Sequence, residues 1–198
     1  MRLADRTATS RRHGAMVSAR RLARDRRGGI LVETALAIPV LVVLLLGCIE
    51  MAQFLLVHQK LNRAASTMAD LVSQPATISA AEVDQLFDAA QHLLEPFDLE
   101  AHGHVIVTSV SREEGDPTAT IDWQREGGGS LAAASRIGVP SGPAEMPDGF
   151  EVREGENLIA AEIFYDYEPM FFSSLFHESV VWHHAYRRSR LGTLSTIN

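Results

Sequence analysis

Apolar and polar positions alternate by three different rules along this chain. From Ile30 to Ile49 there are 20 residues in which Glu33 is the only charge. As a helix rising about 1.5 Å per residue they reach roughly 30 Å, the thickness of a bilayer's hydrocarbon core. The uncharged interior lies between Glu33 and Glu50, with Pro39 inside it as a predicted kink. A soluble core helix of this length would show a polar face, and this segment shows none, so residues 29–50 read as a transmembrane segment.

The second rule begins where the first ends. Phe54, His58, Leu61, Ala65, Met68 and Val72 recur at steps of four and three, and neither Gly nor Pro intervenes before Pro75. Residues 51–74 are therefore an amphipathic extension, and one helix is predicted over residues 30–73; the alternative is two helices joined near Glu50. Ser79-Ala-Ala-Glu82 is a capping-box pattern opening a further helix, whose apolar face is Val83, Leu86, Phe87, Ala90, Leu93 and Leu94 and which stops before Pro96.

The third rule is strand-like. Residues 104–110 and 118–124 are predicted strands separated by the turn-rich REEGDP, and Gly127-Gly-Gly-Ser130 breaks the second. Residues 131–137 are a predicted short helix, and 138–149, with three prolines, a loop. Residues 157–167 and 180–188 are the remaining strands, joined through Pro169-Met-Phe-Phe-Ser-Ser-Leu-Phe176. The fold class is α+β: a long N-terminal helix, transmembrane then amphipathic, followed by a small antiparallel sheet, read as a meander, with one further helix in residues 75–198.

Charge orients this arrangement. Residues 1–28 hold nine arginines against Asp5 and Asp25, a net of +7, so the remainder carries −14 of the overall −7. A basic flank beside a span is retained in the cytoplasm, which places everything after Val57, residues 75–198 included, on the far side of the membrane. Residues 1–28 read as a disordered basic leader, with Met1 or Met16 as the start. The alternative, a nucleic-acid arm, is disfavoured because the run abuts a membrane segment and the rest of the chain is acidic. After one span and a leader, 198 residues leave room for a single modest exported domain, too little for a polytopic transporter.

Cys48 is the one cysteine, and it lies inside the span, so the exported part has no disulfide available and is held by packing. Leu45-Leu-Gly-Cys48 also looks like a lipobox, with Cys48 lipidated. Residues 49–57 continue as an apolar helix where a lipoprotein has a polar tether, so Cys48 reads first as a small apolar residue. Eight histidines raise a metal reading. His102 and His104 share a strand face, whereas the neighbours His183 and His184 point to opposite faces; with no cysteine partner or fixed ligand spacing, solvated strand-edge histidines are the simpler reading. There is no Gly-x-Ser-x-Gly elbow and no phosphate loop, since Gly127-Gly128-Gly129 precedes an alanine run without Lys. No catalytic residue, cofactor or metal is expected. The aromatics Phe164, Tyr165, Tyr167, Phe171, Phe172, Phe176 and Trp182 read as core and rim of the sheet.

The run Arg26-Arg-Gly-Gly-Ile-Leu-Val-Glu33-Thr-Ala-Leu-Ala-Ile-Pro39, then Gly47-Cys-Ile-Glu50, Ala64-Ala65, residues 159–167 with Tyr-Glu-Pro169, and Arg187-Arg188 resemble the TadE-like pilus-assembly proteins of tight-adherence secretion systems. The resemblance implies a single-pass inner-membrane pseudopilin, either an assembly component or a minor pilin. It would act by helix and domain association with other pilin-like subunits, with Pro39, Gly47 and Glu50 in helix packing. It also implies processing by a prepilin peptidase after the glycine five residues before the glutamate, which is the Gly28–Gly29 bond counted from Glu33. The family commonly has an aromatic after that glutamate, where this chain has Thr34. The new amine at Gly29 would then pair with Glu33 of its own or a neighbouring chain; the alternative is that Glu33 snorkels to the headgroups. The rival from another class is a membrane-tethered lipoprotein or binding and sensor domain with no pilus role.

Overall fold

The structure, a computed structural model, describes residues 26–147, 150–171 and 179–197. The leader before Arg26, Met16 with it, and Phe172 and Phe176 lie outside the described residues. The chain divides into two units, Met1–Ile49 and Glu50–Asn198. A single helix, α1 (Arg26–Ser73), provides all that is described of the first unit and the first 24 residues of the second. No break occurs near Glu50, so the two-helix alternative is excluded. α1 starts four residues earlier than predicted, and stops at Ser73, before Gln74-Pro75, because a residue preceding proline disfavours helical torsion. Arg190 closes this end: its N–H donates to the Ser73 carbonyl (3.2 Å) and its guanidinium to Asp70 (2.6 Å).

In the second unit the predicted stripe is core from Leu61 onward, while its first members, Phe54 and His58, are exposed and half-buried. Leu61, Ala65, Met68 and Val72 are fully buried, joined by Val57, Ala64 and Ala69. A leucine or methionine buried this completely contributes about 1.5 to 3 kcal/mol. α2 (Ala80–Leu94) begins at the predicted capping box: the Glu82 N–H donates to Ser79 Oγ (3.3 Å) and the Ser79 N–H to the Glu82 carboxylate (2.8 Å). That bond holds the Glu82 carboxyl below its usual range. Val83, Phe87, Ala90 and Leu94 face the same core as α1. A one-turn helix absent from the prediction, α3 (Leu99–His102), is capped by Asp98 and adds to the one further helix expected.

Among the described residues four antiparallel strands come next: β1 (Gly103–Ser111), β2 (Thr120–Gly127), β3 (Asn157–Tyr167) and β4 (Ser179–Arg188). Their order is β2-β1-β3-β4, which corrects the meander. A meander needs a tight turn between β2 and β3. Here the connection instead crosses the sheet, laying Ile137 and Val152 on Val110, Ile121, Leu158 and Ala160 of the face opposite the helices. The helix-side face carries Val105, Val107, Trp123, Ile159, Ala161 and Ile163.

The predicted short helix over residues 131–137 does not form. Its N–H groups go elsewhere: Leu131 N–H donates to the Gly103 carbonyl (3.1 Å), Arg136 N–H to the Glu162 carboxylate (3.1 Å) and Ile137 N–H to Ser135 Oγ (3.1 Å). Glu162 is completely buried at the centre of β3, where it also accepts from the Ser135 hydroxyl and from Trp182 Nε1 (3.0 Å). The triple glycine has a steric cause. A Cβ at Gly129 would fall inside contact distance of the carbonyl oxygens of Gly103 and Leu99, while the next residue's N–H bonds Glu100 O (2.9 Å).

Candidate functional site

The first unit presents the residues singled out for processing and lipid. Gly28, Gly29, Glu33, Pro39 and Cys48 are exposed and Gly47 is half-buried. The large apolar side chains between them, from Ile30 to Leu45, are exposed as well, so nothing described in this unit covers them. α1 holds the one helix among the described residues that is long and apolar enough to cross a membrane. The Gly28–Gly29 bond falls inside the first turn of α1. Two successive glycines cost a helix about 1 kcal/mol each relative to alanine, so this first turn opens more readily than an alanine turn would. Gly29 and Glu33 stand one turn apart, about 6 Å of rise, on one side of the helix.

Glu50 opens the second unit and is different in kind. It is only 7% exposed. One carboxylate oxygen accepts from the Tyr167 hydroxyl (2.9 Å) and from Met170 N–H (3.1 Å), the other from Phe171 N–H (2.9 Å). The end of β3 and the segment after it are thereby tied to α1. Burial first, then the hydrogen bond to Glu50 and its charge, push the Tyr167 phenol up to about 12. Phe54 packs edge-on to Tyr167 at 5.6 Å. An open cavity of about 210 Å³ lies alongside, lined by Gln53, Phe97, His102, Tyr165, Asp166, Tyr167, Glu168 and Met170.

The histidines divide. His183 and His184 do point to opposite faces of β4. His183 Nε2 lies 2.9 Å from His58 Nδ1 on α1, and burial, then His58, then His184 hold the His183 imidazolium below its usual range. His184 stacks between Trp182 (4.3 Å) and Tyr186 (5.1 Å). His58 and His183 are thus a half-buried pair and not solvated edge residues. His102 ends α3 and does not share a strand with His104. Among the described residues no three His, Cys, Asp or Glu side chains gather closely enough to hold a metal ion.

The amino-acid sequence marks Glu50 but not its partners. Tyr167 reads there as a core residue, and Met170 and Phe171 act through backbone N–H groups, which no residue type announces. Nor does the sequence single out the tail after β4. Leu194 is 1% exposed, and its carbonyl accepts from Trp123 Nε1 (2.6 Å) and Ser109 Oγ (2.8 Å). No curated protein matches the chain, and no solved structure does. Residues 28–70, which carry both glycines, Glu33, Pro39, Gly47, Cys48 and Glu50, match the family described as TadE-like protein, so the chain carries along this stretch of α1 the signature that residues 26–39 resemble.

Proposed function

We propose that this protein is a single-pass inner-membrane component of a tight-adherence pilus system, a TadE-like assembly factor or minor pilin. Its N-terminus is cytoplasmic, its sheet domain is periplasmic, and it acts through association of helices and domains. The observation that carries the reading is coincidence: the family match over residues 28–70 falls on the one apolar helix and on its amphipathic continuation. The +7 leader supports the orientation. The unbroken helix through Cys48 supports the anchor over the lipoprotein alternative, which needs a flexible tether after a lipidated Cys48.

In this reading a prepilin peptidase cleaves Gly28–Gly29, and the freed ammonium pairs with Glu33. A carboxylate within hydrocarbon costs up to about 2.5 to 3.5 kcal/mol at the centre and less near an end, which favours a paired acid. Mass spectrometry of the mature N-terminus tests this. A chain starting at Gly29 is expected; an acylated Cys48 would establish the lipoprotein, and an intact leader a plain anchor. Glu33→Gln keeps the shape and removes the charge, so it should insert and be cleaved yet assemble poorly. Normal pilus assembly by Glu33→Gln at normal protein levels would favour snorkelling.

A further inference from the structure

The apolar surface of α1 does not end where the uninterrupted run of apolar residues ends at Ile49. Met51 (58%), Leu55 (52%) and Leu56 (38%) remain exposed, whereas Glu50, the acid among them, is 7% exposed. At 100° per residue Met51 and Leu55 share one side of the helix, while Leu56 and Phe54 (37%) stand about 100° to either side of Leu55, an arc of about 200° that is wider than one stripe facing one partner. Of the polar residues that follow, Gln53 and His58 are half-buried, and the first exposed one is Gln59, next to the half-buried Lys60. Beside this stretch, Met170 (66%) and Phe171 (43%) also leave their side chains in the open, while their backbone N–H groups hold the Glu50 carboxylate.

We infer that the sheet domain itself contacts the bilayer, with Met51, Leu55, Leu56, Met170 and Phe171 seated at the boundary of headgroups and acyl chains. The inference rests on the membrane reading above and extends it from the span to the domain. The occupant is lipid because the exposed apolar surface is continuous, within one helix, with the segment read as crossing the membrane. Apolar side chains on several sides of a helix fit a fluid solvent better than a single protein partner. Glu50 then has a reason for its burial. An acid directed into this zone would carry an unfavourable charge, and Tyr167 with the backbone of Met170 and Phe171 encloses it. Lys60, about one turn beyond Leu56, has the long stem that reaches headgroup phosphates.

Single cysteines placed in a Cys48→Ser chain and labelled with an environment-sensitive fluorophore test the contact. The full chain is reconstituted in vesicles of phosphatidylethanolamine with a minority of phosphatidylglycerol. Met170→Cys and Leu55→Cys report the contact, and Leu36→Cys reports the span. Glu114→Cys, on the exposed turn after β1, is the aqueous control: it lies by the Asn157 end of β3, ten residues or about 33 Å from Tyr167. Quenching by a lipid carrying its nitroxide at the headgroup level should be at least about threefold stronger for Met170 and Leu55 than for Glu114, with iodide showing the reverse order. Lipid quenching at Leu36 with iodide quenching at Met170 and Leu55 equal to that at Glu114 would overturn the inference and leave the span intact. Protection of Met170 and Leu55 from both quenchers would put protein against them and overturn it too. Iodide access to Leu36 would remove the membrane reading and this inference with it.

Discussion

Replacing Glu50 by glutamine should destabilise the sheet domain while preserving side-chain shape. Of the three described bonds, Oε1 accepts from the Tyr167 hydroxyl and Met170 N–H, and Oε2 from Phe171 N–H. A glutamine keeping its carbonyl at the Oε1 place retains two acceptor contacts, now without charge, and sets its NH2 against the Phe171 N–H, donor to donor. Hydrogen bonds to charged groups contribute about 1.5 to 3 kcal/mol each, so Glu50→Gln should cost about 2 kcal/mol and Glu50→Ala about 4 kcal/mol. For a domain of this size 2 kcal/mol lowers the midpoint by about 5 °C. Trp123 and Trp182, the only tryptophans, both lie in the sheet, so their fluorescence follows unfolding of the detergent-solubilised full chain. Tyr167→Phe should be non-additive with Glu50→Gln, because both act on the one bond between Tyr167 and position 50, the first removing it and the second taking its charge away. Its second effect is on pH. The folded phenol holds its proton to about 12 against an ordinary 10.0, so its stabilisation is complete below pH 10 and is lost as pH rises toward 12. Tyr186, also raised to about 12, keeps part of that alkaline loss in Tyr167→Phe. A Glu50→Gln midpoint within about 1 °C of wild type, together with full additivity, would refute the assignment.

His183 titrates below its ordinary 6.5 when folded, so the folded state binds that proton more weakly than the unfolded chain; stability present above pH 6.5 should fall as pH drops, and His183→Gln should flatten this loss in urea midpoints measured between pH 7 and pH 5. Leu194→Ala should cost about 2 to 5 kcal/mol, since its side chain is buried in the main core; a loss under about 1 kcal/mol would show the tail to be dispensable. Glu162→Gln removes the charge that holds Ser135, Arg136 and Trp182 and should cost about 2 kcal/mol. Limited proteolysis should then cut residues 131–147 faster than in wild type, and unchanged cleavage would mean that Glu162 does not anchor this connection.

What is legible in the sequence is what neighbouring residues decide. The four-and-three stripe from Leu61 to Val72, the Ser79 and Glu82 capping box and the strand over Asn157–Tyr167 each depend on residues within a turn or a strand of one another, and each appears in the fold. The strand order is not legible, because β3 reaches β1 after a connection from β2 that carries no period and whose N–H groups bond largely to backbone carbonyls distant along the chain, Ser130 to Glu100, Leu131 to Gly103 and Ser141 to Ile121. Of the candidate site, Glu50 is visible as a charge at the edge of an apolar run. Its bonding to Tyr167 and Phe171 spans 117 and 121 residues, a distance at which composition carries no signal. The His58 and His183 pair escapes notice for the same reason, and the tail because Leu191, Leu194 and Ile197 fit neither a helical nor a strand period.

That tail has a consequence for the order in which the domain is made. The groups that Leu194 satisfies on β1 and β2 precede it by 85 and 71 residues, and Arg190 caps a helix that ended at Ser73. The buried indole of Trp123 and the last carbonyl of α1 therefore wait for residues synthesised long after them. Until then, Leu61, Met68 and Val72 are an apolar stripe without a sheet to cover it. Contacts so far apart along the chain make folding slow and late. A nascent chain threaded through a membrane would reach its native core only as residues 190–197 emerge, so that closure of the domain waits on the translocation of its own tail.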